Sequence, residues 1–209
     1  MSGLFITIEG IECVGKSTNT KFISNYLNKR GIKNHQTREP GGTLLAEKIR
    51  NILLYKDDEN LTPLSELFLL FAARDANIQK VIKPALRDGK WVICDRFTDA
   101  SFAYQGYGRE LGYETVALLK QIVHANFEPD ITFLLDAPLN VIKGRRKLNA
   151  NDRFESESNV FFNKVRNGYL EIAERFPERI RVIDASKPIE DVQTQIVKHL
   201  KELVKNNAD

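Results

Sequence analysis

Two cysteines, one tryptophan and one methionine are all that the 209-residue chain holds of those types. Two thiols with neither a CxxC pair nor a zinc spacing exclude a disulfide framework and a structural zinc domain. Cys13 and Cys94 read instead as small reduced side chains packed beside strand ends. An excess of one charge is lacking too: 31 Lys and Arg against 28 Asp and Glu leave a formal +3. With no dense basic block, nucleic acid is not an expected partner, and a few cations gathered around an anion account for the excess equally well. Long apolar runs are missing. Leu67 to Ala73 is among the longest, far short of the roughly 20 residues a membrane helix needs. The N-terminus has no basic region leading into an apolar stretch, and Glu9 interrupts it early. No signal peptide, no membrane association and a cytoplasmic location are therefore expected. Hydrophobic residues at 42% and charged residues at 28% describe an ordinary folded chain, read here as a single domain over residues 1–209.

What the sequence does hold is Gly10-Ile11-Glu12-Cys13-Val14-Gly15-Lys16-Ser17, followed by Thr18. It fits G-x-x-x-x-G-K-[ST], the phosphate-binding loop. Glycines let backbone N–H groups close on a phosphate chain, and the next helix aims its positive end at the same anion. Lys16 brings a full charge to the β and γ phosphates, and the Ser17 hydroxyl suits the Mg²⁺ that accompanies a nucleotide. The context agrees. Leu4 to Ile8 is a short β-rich run, and Thr18 to Lys29 carries Phe22, Ile23, Tyr26 and Leu27 at helical spacing.

Beyond the loop, β-rich and helical segments alternate. Strands are expected at Asn34 to Arg38, Trp91 to Asp95, Ile131 to Asp136 and Ile180 to Asp184. Helices are expected at Leu44 to Tyr55, with Leu45, Ile49, Ile52 and Leu53 on one face, and at Leu64 to Leu86 as one long element. Further helices are expected at Tyr113 to Ala125, Pro138 to Gly144, Asn159 to Phe176 and Ile189 to Val204. The alternation predicts an α/β fold with a five-stranded parallel sheet flanked by helices. Ligands on such sheets bind beyond the carboxyl ends of the strands, where Glu9, Asp95 and Asp136 fall.

Three further groups are candidates for chemistry. Asp95 ends a buried strand near the loop and suits Mg²⁺, while Arg96 beside it can fork onto a phosphate. Phe71 and Arg74 share a helix face, an arrangement able to stack a base and grip its phosphate; alone, they read as a core ring beside a surface arginine. Residues 144–155 carry Arg145, Arg146, Lys147 and Arg153 with almost no apolar periodicity. That is a solvated charge run or, near a triphosphate, a lid whose arginines neutralise a transferring phosphoryl group.

Taken together, these residues resemble the thymidylate kinases, and the resemblance covers nearly the whole chain. It is carried by Glu9 through Thr18, by Thr37-Arg38-Glu39-Pro40-Gly41-Gly42-Thr43, by Phe71-Ala72-Ala73-Arg74, and by Asp95-Arg96-Phe97. It extends through Ser101-Phe102-Ala103-Tyr104-Gln105-Gly106 and Asp152-Arg153-Phe154-Glu155. The resemblance implies a P-loop nucleoside monophosphate kinase fold with a lid, acting with ATP and Mg²⁺ on thymidine monophosphate, and a homodimer. It implies that Phe71 stacks on thymine, Arg74 reaches its O4, and Ser101 and Gln105 line the base edge. Tyr104 would stand near C2′ of the sugar, Arg38 and Arg96 would hold the monophosphate, and Glu12 would neighbour the sugar and phosphate. Cys13 and Val14 stand where many relatives carry small residues, one of them sometimes basic. The chain therefore resembles the class that draws its catalytic arginines from the lid, with Arg145, Arg146 and Arg153 as candidates.

Rival readings are another nucleoside monophosphate kinase, a deoxynucleoside kinase, a GTPase and a non-catalytic nucleotide-binding module. The GTPase reading lacks its segments: Asn163-Lys164 runs into Val165-Arg166 with no N-K-x-D. The basic lid argues against a module that only binds.

Overall fold

The computed structural model of the chain describes residues 3–55, 61–143, 153–154 and 157–207. Five strands form one sheet: β1 (Phe5–Glu9), β2 (Asn34–Arg38), β3 (Trp91–Asp95), β4 (Ile131–Asp136) and β5 (Ile180–Asp184). Their order is β2-β3-β1-β4-β5, and every pairing is parallel. The three central strands read FITIE, WVICD and ITFLLD, and nearly every residue of them is buried, as a sheet covered on both faces requires. β2 is the polar edge expected from Asn34-His35-Gln36-Thr37-Arg38.

The helices are α1 (Lys16–Asn28), α2 (Leu44–Leu54), α3 (Pro63–Asn77), α4 (Lys83–Arg87), α5 (Thr98–Ser101), α6 (Tyr113–Val123), α7 (Leu139–Lys143), α8 (Asn159–Arg175) and α9 (Ile189–Asn206). Thr43 and Thr62 start α2 and α3 by accepting from the backbone N–H of Ala46 and Ser65. All five expected strands are present, and the expected helices match apart from their ends and two differences.

The long helix expected over Leu64 to Leu86 is divided. α3 runs into a π-helical turn, Ile78–Ile82, before α4 resumes. Pro84 has no N–H to give the preceding turn, so the backbone widens there to keep its carbonyls partnered. On α2 the expected face is also rotated. Ala46, Ile49 and Leu53 are buried, whereas Leu45 and Ile52 are exposed at 56% and 54%.

The second difference bears on function. Thr98–Ser101 and a π-helical Phe102–Gly108 form a continuous helical segment where no helix was expected. Gly106 and Gly108 lower its intrinsic propensity, and packing against α8 overrides them. A Cβ on Gly108 would lie 2.8 Å from Phe161 and Val165, and one on Gly168 of α8 would lie 2.7 Å from the Tyr107 ring. The two glycines let these backbones approach, and that approach turns Tyr104 and Gln105 toward the carboxyl edge of the sheet.

Candidate active site

The site begins with the turn between β1 and α1. Gly10 has φ +131°, and a Cβ on it would stand 2.4 Å from the Leu135 carbonyl oxygen. No other residue fits there. Gly15, at φ 98°, opens α1 with no side chain capping the helix and no acid in its first turn. The first amides of α1 are thus left to an external anion. Lys16 reaches back and donates to the Ile11 carbonyl at 2.8 Å. Burial, and the cation of Arg96 after it, lower its pKa to about 8. The Ser17 hydroxyl donates to Asp95 Oδ2 at 3.2 Å. A hydroxyl and a carboxylate at one point on the phosphate side are hard oxygen donors of the sort Mg²⁺ takes. Thr18 is exposed beside them.

Around the loop lies a cleft of about 350 Å³. It runs from Glu12, Cys13, Lys16 and Ser17, past Asp95 and Arg96, to Arg74, Ser101, Tyr104 and Gln105. Arg96 is the hub of its middle. Its backbone is left-handed at φ 72°, held by Arg96 N–H to the Ile8 carbonyl and by Phe97 N–H to Glu9 Oε1 at 2.6 Å. Its guanidinium donates to the Gly10 carbonyl, Tyr169 Oη, Glu12 Oε1 and Tyr104 Oη at 2.8 to 3.1 Å. Strain of about 1–3 kcal/mol in that backbone persists only where neighbours fix it. Burial opposes ionisation of Glu12, but Arg96 and Lys16 outweigh it and hold its carboxyl below the usual range. Glu9 has the opposite fate. Fully buried, and facing Asp99, it is raised to about 8, while Tyr169 Oη donates to it at 2.7 Å.

At the far end Arg74 is buried, 2% exposed, on α3. Its Nε donates to Glu39 Oε2 at 2.7 Å, and its Nη2 donates to the Phe97 carbonyl and to Ser101 Oγ. Its Nη1 is buried and has no hydrogen-bond partner among the described residues. A buried unpaired guanidinium nitrogen costs about 1–3 kcal/mol. Glu39 lies in the turn at residues 37–43, whose Gly42 has φ +86° and no room for a Cβ, Asn77 Oδ1 being 2.4 Å away. Arg38, from the same turn, is half-exposed at the rim and pairs with Glu47 at 3.0 Å.

The sequence expectations for the base end need two corrections. Phe71 does not line the cleft. It is 2% exposed, stacked with His124 in the core, and the Arg74 guanidinium lies 4.6 Å from its ring centroid. Leu70, one residue earlier, is the side chain of that turn that faces the cleft. Arg74, in turn, is no surface residue. Arg153 also differs from its expected lid role. Its Nη1 pairs with Glu66 Oε2 at 2.7 Å and its Nε donates to the Leu53 carbonyl at 3.1 Å, which ties it to α2 and α3. Arg145 and Arg146 lie outside the described residues. Sequence reasoning also missed Pro40, Arg50 and Leu54 at the rim and Phe154 beside Tyr104, and it missed Glu66, a buried carboxylate behind Gln105. Among the described residues no group of three or more His, Cys, Asp or Glu stands as a metal centre, and no helix is long and apolar enough to cross a membrane.

Comparison with known proteins places this geometry. The family model described as thymidylate kinase matches residues 8–196. The thymidylate kinase of Vesicomyosocius okutanii is 50% identical over 198 residues, spanning 93% of this chain and 95% of that one. The Methylococcus capsulatus thymidylate kinase is 49% identical over 203 residues, spanning 97% of both. Among solved structures, the thymidylate kinase of Ehrlichia chaffeensis superposes with a TM-score of 0.77 at 35% identity, over 96% of this chain and 99% of that one.

Proposed function

The chain belongs to the thymidylate kinase family, and from that premise we propose how its cleft divides the work. The enzyme is a phosphotransferase that moves the γ-phosphoryl group of ATP to thymidine monophosphate, giving the diphosphate on the way to dTTP. Residues 10–18 cradle the ATP phosphates through the free amides of α1, with Lys16 as point charge. Ser17 and Asp95, a hydroxyl and a carboxylate brought together, would hold Mg²⁺. When bound, that ion neutralises charge on the transferring group. Arg38 and Arg96 hold the acceptor phosphate. Glu12 keeps Arg96 and Tyr104 in place, and Tyr104 closes the space a 2′-hydroxyl would need. Ser101 holds Arg74, Arg74 and Gln105 read the base edge, and Leu70, rather than Phe71, packs on its face.

One observation carries the base assignment: Arg74 lines the cleft, and among the described residues every nitrogen of its guanidinium has a hydrogen-bond partner except Nη1. A keto oxygen satisfies it; the amino group of cytosine does not. Two mismatched groups at about 1 kcal/mol or more each predict a preference for thymidine over deoxycytidine monophosphate of at least about thirtyfold in kcat/KM. ADP release with ATP and a panel of monophosphates measures it, and equal kcat/KM for the two would overturn the pocket.

We also propose that the enzyme is a cytoplasmic homodimer. Two free cysteines suit a reducing compartment. Leu44, Leu45, Ile52, Leu64, Phe68, Leu118 and Ile122 are large apolar side chains exposed on α2, α3 and α6. Such a patch suits an interface better than water. Replacing Phe68 and Ile122 with glutamate should shift the sedimentation coefficient from dimer to monomer. A dimer that survives both changes would place the interface elsewhere.

A further inference from the structure

Glu66 is fully buried in the first turn of α3, yet the assigned chemistry does not use it. Its Oε1 accepts from Gln105 Nε2 at 2.6 Å. Its Oε2 accepts from Arg153 Nη1 at 2.7 Å, and Arg109 Nε lies 3.3 to 3.4 Å from both oxygens. Arg109 in turn pairs with Glu157 at 2.5 Å. The carboxylate is therefore clamped on one side by two arginines and faces an amide on the other.

A carboxylate only accepts hydrogen bonds. The end of the Gln105 amide that faces Glu66 must be its NH₂, so the carbonyl is the end left for the cleft that Gln105 lines. Arg74, which can only donate, lines the same cleft. An acceptor together with a donor matches a pyrimidine with N3–H and a 4-keto group. It is the reverse of cytosine, whose N3 accepts and whose 4-substituent donates. We infer that Glu66 is a positioning residue for base specificity: it fixes which way Gln105 presents its amide, and so which base edge the cleft reads. This rests on the base pocket proposed above, and it adds the residue that decides the polarity of that pocket.

The inference gives a signed test. In Glu66→Gln the two arginines, which only donate, hold the new carbonyl, and the new NH₂ faces Gln105. Gln105 must then turn its own carbonyl inward and offer NH₂ to the ligand. The kcat/KM for thymidine monophosphate should fall about tenfold, while that for deoxycytidine monophosphate holds or rises, so the preference drops by at least that factor. A general loss of packing lowers both together. The double variant Glu66→Gln/Gln105→Glu restores the reading: the amide at position 66 donates to a carboxylate at position 105, whose second oxygen faces the cleft as an acceptor. Its thymidine preference should return to within a few-fold of the parent. It also serves as the folded comparison if the single variant proves insoluble.

Gln105→Met separates this inference from the pocket beneath it. If Gln105→Met leaves the preference intact, the base pocket itself is misassigned. If Gln105→Met lowers the preference but Glu66→Gln does not, or the double variant stays unselective, Glu66 does not orient the amide and the inference fails.

Discussion

Lys16→Ala should remove nearly all phosphoryl transfer, with kcat down by about three orders of magnitude and the fold unchanged. The loop surrounding Lys16 is set by backbone geometry. Gly10 and Gly15 supply the left-handed turns, and the amides of α1 supply the dipolar part of the site. On the proposed assignment those elements would bind phosphate oxygens in ground state and transition state alike. A mobile ammonium on a long stem can follow the γ-phosphoryl as it moves. Among the described residues the Lys16 ammonium bonds only to the Ile11 carbonyl, and burial has lowered its pKa to about 8. Truncation therefore relieves a buried charge and breaks no core contact, so thermal unfolding should shift by no more than a few degrees. Steady-state kinetics beside a melting curve check both halves. A folded variant with near-normal kcat would sink the assignment of the loop.

The legible and illegible parts of this molecule divide along physical lines. The phosphate loop could be read because its demands are local: two glycines for left-handed backbone, a lysine and a hydroxyl, all within one turn. The central strands could be read because burial on both faces leaves them almost wholly apolar. The phase of α3 could not be read. Leu67 to Ala73 is apolar all round, so nothing in the pattern says whether Leu70 or Phe71 meets the cleft, and only the packing of His124 on Phe71 decides it. The helical segment at residues 98–108 was hidden by Gly106 and Gly108, whose value lies in the approach of α8 rather than in propensity. Glu66 was hidden for the same kind of reason. An acid in the first turn after Thr62 is what any solvated helix start carries, and its burial depends on Gln105, Arg109 and Arg153, far along the chain.

The second large effect concerns where the remaining positive charge comes from. In-line transfer between two anions builds charge that one lysine and Mg²⁺ do not fully neutralise, and the loop offers no other cation, since Cys13 and Val14 occupy the positions after Glu12. Two arginines near the cleft are already committed. Arg96 donates to four oxygens, among them Glu12 and the Gly10 carbonyl, which suits it to hold the acceptor rather than follow a moving phosphoryl group. Arg153 is held by Glu66 and the Leu53 carbonyl, so it reads as an anchor at the end of the charged segment. We propose Arg145 and Arg146, in the charged run of residues 144–155, as a source of transition-state charge. We therefore expect Arg146→Ala, or Arg145→Ala/Arg146→Ala, to lower kcat by at least about a hundredfold with little change in KM for thymidine monophosphate. Loss of an interaction made only in the transition state lowers kcat and kcat/KM alike. Arg153→Ala should behave differently, lowering thermal stability and loosening base preference through Glu66 before it touches kcat. If the Arg145 and Arg146 variants keep near-parental kcat, the segment is a solvated loop, and Arg96 must turn from the acceptor to the transferring group during the reaction.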